Sequence, residues 1–228
     1  MKGLIFKDIF EIRIQIIVGA IIALYPNAML MIGFSNLMSE TVSVMGEAEL
    51  INSMFMLFLN FATIVPFTSL LLNTLTNDVS SGWAKICRTM PVSSEQVVLS
   101  KIISTAILVG GFTLIAIIIN IITIFRTENV IPEVLIAAPF CIGLIQMINL
   151  TPVFPISLKL GVKSANSIYL ALMIILVIFT VIFLFGVFSN DISMTFARIL
   201  LYGIIPVTAS LVIFISYKCS RNLIAKDL

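Results

Sequence analysis

Residues 102–125 read IISTAILVGGFTLIAIIINIITIF, a stretch of 24 residues that contains no charged side chain. An α-helix needs about 20 apolar residues to cross the hydrocarbon core of a bilayer, and a charge at its centre costs roughly 2.5–3.5 kcal/mol. Polar and apolar residues do not alternate along the stretch, so it does not fit a strand of a membrane barrel. It therefore predicts a transmembrane helix.

The rest of the chain has the same character. Its 228 residues are 60% hydrophobic and only 11% charged, whereas a soluble domain carries about 25% charged residues. The charged residues separate six apolar windows, which predicts an all-α integral membrane protein with one transmembrane domain over residues 1–228. The six predicted spans cover residues 14–38, 51–76, 98–125, 132–157, 166–189 and 198–217.

The basic residues predict the orientation. Of 13 lysines and arginines, all except Arg126 and Arg198 fall in the N-terminus, the second and fourth connections and the C-terminal tail. Cytoplasmic loops carry such an excess of positive charge. Both termini are therefore expected in the cytoplasm.

Residues 1–13 follow a helical period. Isoleucines share one face and polar or charged residues share another, with Ile5, Ile9, Ile12 and Ile16 on the first and Lys7, Asp8, Glu11 and Gln15 on the second. This pattern favours a helix that lies on the cytoplasmic leaflet and leads into the first span. A solvated tail is the alternative.

Several function classes are excluded by composition. The chain has no histidine, so it cannot form a His-ligated metal site or a Ser-His-Asp triad. Its net charge of +2 and lack of a long basic run argue against nucleic-acid binding. It has no P-loop motif, and its uncharged windows offer no ionisable group for ion coupling. We therefore predict a protein that is not an enzyme, has no catalytic, metal or cofactor residue, and takes its energy from elsewhere.

The polar groups inside the spans are amides and hydroxyls. Such groups form hydrogen bonds between membrane helices, and they could equally line a translocation path. The candidates for a path are the deepest amides, Asn60, Asn120, Gln146 and Asn149. Span four also contains Pro139, Pro152 and Pro155, which predicts a break near its cytoplasmic end.

The connection between spans two and three contains a further predicted helix, residues 81–90. Ser80 or Ser81 can cap its start and Pro91 ends it, while Trp83 lies on its apolar face. Ser93 and Gln96 then have the spacing of a capping box at the start of span three. This helix is interpreted either as an ordinary interfacial helix or as a docking element for a cytoplasmic partner.

This layout resembles the permease subunit of type-2 ATP-binding-cassette (ABC) exporters. The resemblance rests on the opening MKGLIFKD, on Asp78 and Trp83, on the stretch Met90-Pro91-Val92-Ser93, and on Lys101. It implies a half-transporter that pairs with an identical or different permease chain and binds two cytoplasmic ATPase subunits, which hold ATP and magnesium.

The resemblance also implies residue roles. Helix 81–90 would be a coupling helix seated on the ATPase, and the connection Ser157–Ser167 would be a second contact. The implied ATPase-coupling residues are Asp78, Ser81, Trp83, Lys85, Arg88, Met90, Pro91, Lys159 and Lys163.

Small permeases of this layout resemble transporters of the bacterial cytoplasmic membrane that export amphipathic peptides, such as phenol-soluble modulins. The chain departs from the class in lacking a large outside loop between spans five and six, which weakens the case for an external gate helix there. The alternatives are an exporter of lipids or drugs, a substrate-capturing membrane subunit of a vitamin importer, and an immunity factor that transports nothing.

Overall fold

The chain is almost entirely helical in the part that a computed structural model describes, which is residues 2–29, 59–60, 63–65, 70–80, 93–126, 132–188 and 200–227. No strand occurs among these residues. The helices are α1 Lys2–Glu11, α2 Arg13–Met29, α3 Leu70–Ser80, α4 Ser94–Arg126, α5 Pro132–Leu150, α6 Val153–Leu160, α7 Val162–Phe188 and α8 Ile205–Asp227, the last preceded by a π-helical turn at Leu200–Ile204.

Three described stretches are long and apolar enough to cross a membrane, Glu95–Phe125, Leu135–Leu160 and Tyr202–Ile224. They correspond to predicted spans three, four and six, and α7 supplies a shorter apolar segment, Val162–Ile175, that overlaps predicted span five. Residues 30–58 and 81–92 hold parts of predicted spans one and two and the whole predicted coupling helix, and they lie outside the described residues. The count of six spans therefore stays a prediction.

Two compact units share the chain, and α4 and α5 each contribute to both. In the first unit, α1 packs on α3, and α6 packs on both α7 and α8. The second unit contains α2, the later part of α4 and the earlier part of α5. A small apolar core in this unit consists of Ile64, Ala116 and Ile142, with Val65 packed against it.

The start of α4 confirms the predicted capping box. The Ser93 backbone N–H donates to Gln96 Oε1 at 3.4 Å, and the Gln96 backbone N–H donates to Ser93 Oγ at 3.3 Å. These reciprocal bonds satisfy two of the donors that a helix start leaves unpaired. The helix begins at Ser94, four residues before the predicted start of span three.

The predicted break in span four is also confirmed. Helix α5 ends at Leu150 and α6 begins at Val153, with Pro152 at the boundary. Helix α6 then ends at Gly161, whose φ of +85° lies in the region that favours glycine because a side chain is strained there. The second helix of span four thus runs to Leu160, three residues past the predicted end.

Close packing joins α4 and α5 inside the second unit. A Cβ built on Gly143 would overlap the hydroxyl group of Thr113. Small residues allow the backbones of membrane helices to approach in this way. An alanine at position 143 would therefore force Thr113 or the two helices to move.

Candidate functional site

Three helices of the first unit bring charged side chains together. Helix α1 contributes Lys7, Asp8 and Glu11, α3 contributes Asp78, and α4 contributes Lys101. We call these five residues the ionic cluster. Its members are far apart in the sequence, because 93 residues separate Asp8 from Lys101 and 71 separate Lys7 from Asp78.

Lys101 is the centre of the cluster. Its Nζ donates to Asp8 Oδ1 at 2.7 Å and to Asp78 Oδ2 at 2.6 Å, and the Ser104 hydroxyl lies 3.4 Å from Asp8 Oδ2. The residues are buried, with exposed fractions of 2% for Asp8, 8% for Lys101 and 9% for Asp78. Buried charges are stable only when paired and hydrogen-bonded, so Lys101 holds α1 and α3 together through their carboxylates.

Lys7 closes the cluster on its more open side. Its ammonium group donates to Asp78 and lies 3.4 Å from Glu11 Oε1 and 3.8 Å from Asp8 Oδ1. Burial by itself lowers the pKa of Lys7, but the hydrogen bond to Asp78 and the nearby carboxylates outweigh it, so the pKa is raised above its usual value. The stabilisation from Lys7 is therefore fully present below the unfolded-state pKa of about 10.4 and is lost only as pH rises through the higher folded-state pKa.

The carboxylates of the cluster have the spacing of a cation site. One oxygen each of Asp8, Glu11 and Asp78 lies within 4.8 Å of the others. The ammonium groups of Lys7 and Lys101 already pair with these oxygens. We therefore assign the cluster a role in joining helices and no role as a metal site.

The ionic cluster flanks the predicted coupling helix. Asp78 lies in the last turn of α3, three residues before Ser81, and Lys101 lies in α4 after the capping box. Of the sequence-predicted coupling residues, Asp78 is thus placed in the cluster. The others in this connection, Ser81, Trp83, Lys85, Arg88, Met90 and Pro91, lie outside the described residues.

The second predicted contact lies elsewhere in the first unit. Lys159 is in the last turn of α6 and Lys163 is in the first turn of α7, on either side of Gly161. Both lysines are exposed and neither belongs to the ionic cluster.

Two of the four candidate path amides lie side by side. Gln146 Nε2 and Asn149 Nδ2 both lie 3.4 Å from the Met173 sulfur, and the Tyr169 hydroxyl lies 3.5 Å from Gln146 Oε1. Both amides are buried. In this arrangement they join α5 to α7. Asn60 is buried as well, but its Nδ2 has no hydrogen-bond partner among the described residues.

Asn120 has a specific structural task. Pro139 lies inside α5 and lacks an N–H, so the carbonyl of Leu135, four residues earlier, loses its helical donor. Asn120 Nδ2 on α4 donates to this carbonyl at 2.7 Å. Asn120 is 1% exposed, and it compensates for the proline. Bridging between helices accounts for this amide, while a path role for the four amides stays a prediction.

Sequence reasoning missed that the charged face of α1 is turned to the protein. Asp8 is buried and Lys7 is half-buried, whereas Phe6 and Phe10 are exposed. The alternative of a solvated tail is therefore wrong for the described residues of α1. The available signal was the opposite charge of Lys101 against the acidic residues Asp8 and Asp78.

A scan against models of protein families matches residues 3–225 to the ABC-2 family transporter protein model. The chain belongs to the ABC-2 transporter family. This ABC-2 protein is an integral membrane protein, the permease subunit of an ABC transporter, and its family associates with ATP-binding-cassette subunits. Searches of curated proteins and of solved structures found no match. The matched region of the ABC-2 chain includes every residue of the ionic cluster.

Proposed function

We propose that this ABC-2 permease is half of an exporter. It pairs with a second permease chain in the bacterial cytoplasmic membrane, with both termini in the cytoplasm. Two cytoplasmic ATPase subunits bind ATP and magnesium and drive the transport. The permease itself supplies the path and the surfaces on which those subunits act.

The observation that carries this proposal is the position of the ionic cluster. Asp78 precedes the predicted coupling helix 81–90 and Lys101 follows it, and both are bonded within one buried cluster. The ends of the connection are therefore tied to each other and, through Asp8, to α1. A displacement of the coupling helix by the ATPase subunits would move α1, α3 and the start of α4 together.

Buried ion pairs suit this task. Removing one partner of such a pair costs about 3–5 kcal/mol, because the other charge is left without compensation. The contacts of Lys101 at 2.6 and 2.7 Å are therefore expected to persist while the helices move. A joint made only of apolar contacts would allow the helices to slide more readily.

The exposed lysines of α6 and α7 supply a second surface. Lys159 and Lys163 are exposed on either side of Gly161, where the chain turns between the two helices. We assign them to the second ATPase contact, since lysines in this position can pair with carboxylates of a cytoplasmic partner.

For the substrate we propose amphipathic peptides. Apart from Lys101 in α4 and Lys218 and Arg221 in α8, charged residues in the described apolar helices lie near the helix ends. Such spans offer no partner to a densely charged soluble substrate, whereas the apolar face of a helical peptide can move along them. Asn60, Asn120, Gln146 and Asn149 remain the proposed polar contacts of this path.

Reconstituted vesicles test the substrate class. The permease and its ATPase subunit are expected to hydrolyse ATP severalfold faster with an amphipathic helical peptide than with a peptide of the same composition in scrambled order. The scrambled peptide controls for charge and hydrophobicity. A response confined to lipids or small drugs, with none to any amphipathic peptide, would show that the substrate class is wrong.

A further inference from the structure

The outward side of α1 carries two aromatic rings and a cation. Phe6 is 68% exposed and Phe10 is 47% exposed, with ring centroids 5.7 Å apart and ring planes 26° from parallel. The guanidinium carbon of Arg13 lies 3.7 Å from the centre of the Phe10 ring. Together with the exposed Lys2, we call these residues the aromatic–cationic edge.

The positive charge of this edge is not neutralised by α1 itself. The acidic residues of α1 are already engaged, Asp8 with Lys101 and Glu11 with Lys7. Lys2 and Arg13 form no ion pair within the part of the chain that the structure describes. The helix thus buries Asp8, pairs the exposed Glu11 with Lys7, and presents Lys2, Arg13 and the two aromatic rings outward.

We propose that the aromatic–cationic edge binds the headgroups of anionic phospholipids in the cytoplasmic leaflet. Stacking on Phe10 holds the Arg13 guanidinium in place, and a guanidinium can donate two parallel hydrogen bonds to a phosphate. The phenylalanine rings insert at the boundary between headgroups and acyl chains. This lipid contact is independent of the substrate and of the ATPase.

Because α2 belongs to predicted span one, its short connection to α1 would place the edge at the membrane surface. Helix α1 ends at Glu11 and the apolar α2 begins at Arg13, so only Ile12 separates them. Exposed phenylalanine rings are unfavourable in water and favourable at a lipid interface. An acidic protein surface would match the cations but would not explain the two rings as well.

Binding of short-chain phosphatidylglycerol to the purified full chain in neutral detergent tests the proposal. Each cation near an anionic membrane contributes about a fivefold change in association, so Arg13→Gln is expected to weaken phosphatidylglycerol binding about fivefold. Binding of phosphatidylcholine is expected to stay unchanged. Arg13→Lys should weaken phosphatidylglycerol binding less than Arg13→Gln does, because it keeps the charge but loses the stacked guanidinium and its two parallel hydrogen bonds.

Arg221→Gln is the matched control. Arg221 is also exposed and its substitution removes the same charge, but its guanidinium is already paired with Glu95 at 2.8 Å. Unchanged phosphatidylglycerol binding by Arg13→Gln, equal losses for both lipids, or an equal loss in Arg221→Gln would overturn the proposal. The proposal would also be overturned if Arg13→Gln weakened the binding of the ATPase subunit but retained phosphatidylglycerol binding.

The unmodified chain gives a test without any variant, since added salt must weaken phosphatidylglycerol binding and leave phosphatidylcholine binding unchanged.

Discussion

Replacing Lys101 by methionine is expected to lower strongly the amount of folded permease that can be obtained. The substitution keeps a long side chain but leaves Asp8 and Asp78 buried without the ammonium group that bonds both of them. The loss of one partner from a buried ionic group costs about 3–5 kcal/mol, a large share of the roughly 5–15 kcal/mol that stabilises a typical protein. The yield of monodisperse protein in detergent and its thermal unfolding temperature measure this effect.

Two variants show whether the charge itself is responsible. Lys163→Met removes an exposed lysine from α7 and is expected to leave yield and unfolding temperature nearly unchanged. Adding Asp8→Asn and Asp78→Asn to Lys101→Met should restore part of the lost stability, because neutral groups tolerate burial better than unpaired charges. A Lys101→Met protein as stable as the unmodified chain would refute the account of the ionic cluster.

Replacing Trp83 by alanine is expected to separate ATP hydrolysis from transport. Trp83 is the only tryptophan of the chain and belongs to the apolar face of the predicted coupling helix. Tryptophans that anchor an interface often contribute 2 kcal/mol or more, which corresponds to roughly thirtyfold weaker docking. We expect the vesicles to retain ATPase activity. The amount of peptide transported per ATP should fall by a factor of roughly ten to thirty.

Tyr202→Ala serves as the aromatic control, since Tyr202 is exposed in the π-helical turn before α8. It should leave the ratio of transport to hydrolysis unchanged. If Trp83→Ala transported as much peptide per ATP as the unmodified chain, helix 81–90 would not be the coupling element.

Local features of this fold could be predicted because their signals are local. The capping box at Ser93 and Gln96 depends on residues three positions apart, and the break at Pro152 follows from the covalent chemistry of proline. The apolar spans follow from composition alone. The end of α6 at Leu160 differs from the prediction because the decisive residue was Gly161, not the earlier prolines.

The ionic cluster could not be predicted in the same way. The sequence pattern placed Lys7, Asp8 and Glu11 on one face of α1 but did not reveal what that face contacts. Lys101 and its two carboxylate partners meet across separations of 93 and 23 residues, and only packing of the helices decides which charges meet.

The bond between Asn120 and Leu135 is an intermediate case. Pro139 shows from sequence alone that the Leu135 carbonyl lacks a helical donor. The identity of the donor, an amide on the neighbouring α4, requires the register between two helices. A rule that pairs a proline in a membrane helix with a nearby amide would have identified Asn120 as a structural candidate.

The central claim is that the ionic cluster transmits the movement of the coupling helix to the spans. The most direct test is the amount of peptide transported per ATP hydrolysed by Asp78→Asn, compared at equal amounts of assembled transporter. This isosteric change removes the charge that ties α3 to Lys101 and Lys7 but leaves the bond between Asp8 and Lys101.

The control is Glu95→Gln, which removes a carboxylate from the exposed pair with Arg221. We predict a severalfold fall in the ratio for Asp78→Asn, with ATP hydrolysis retained and no change for Glu95→Gln. An assembled Asp78→Asn transporter with the unmodified ratio would contradict the account.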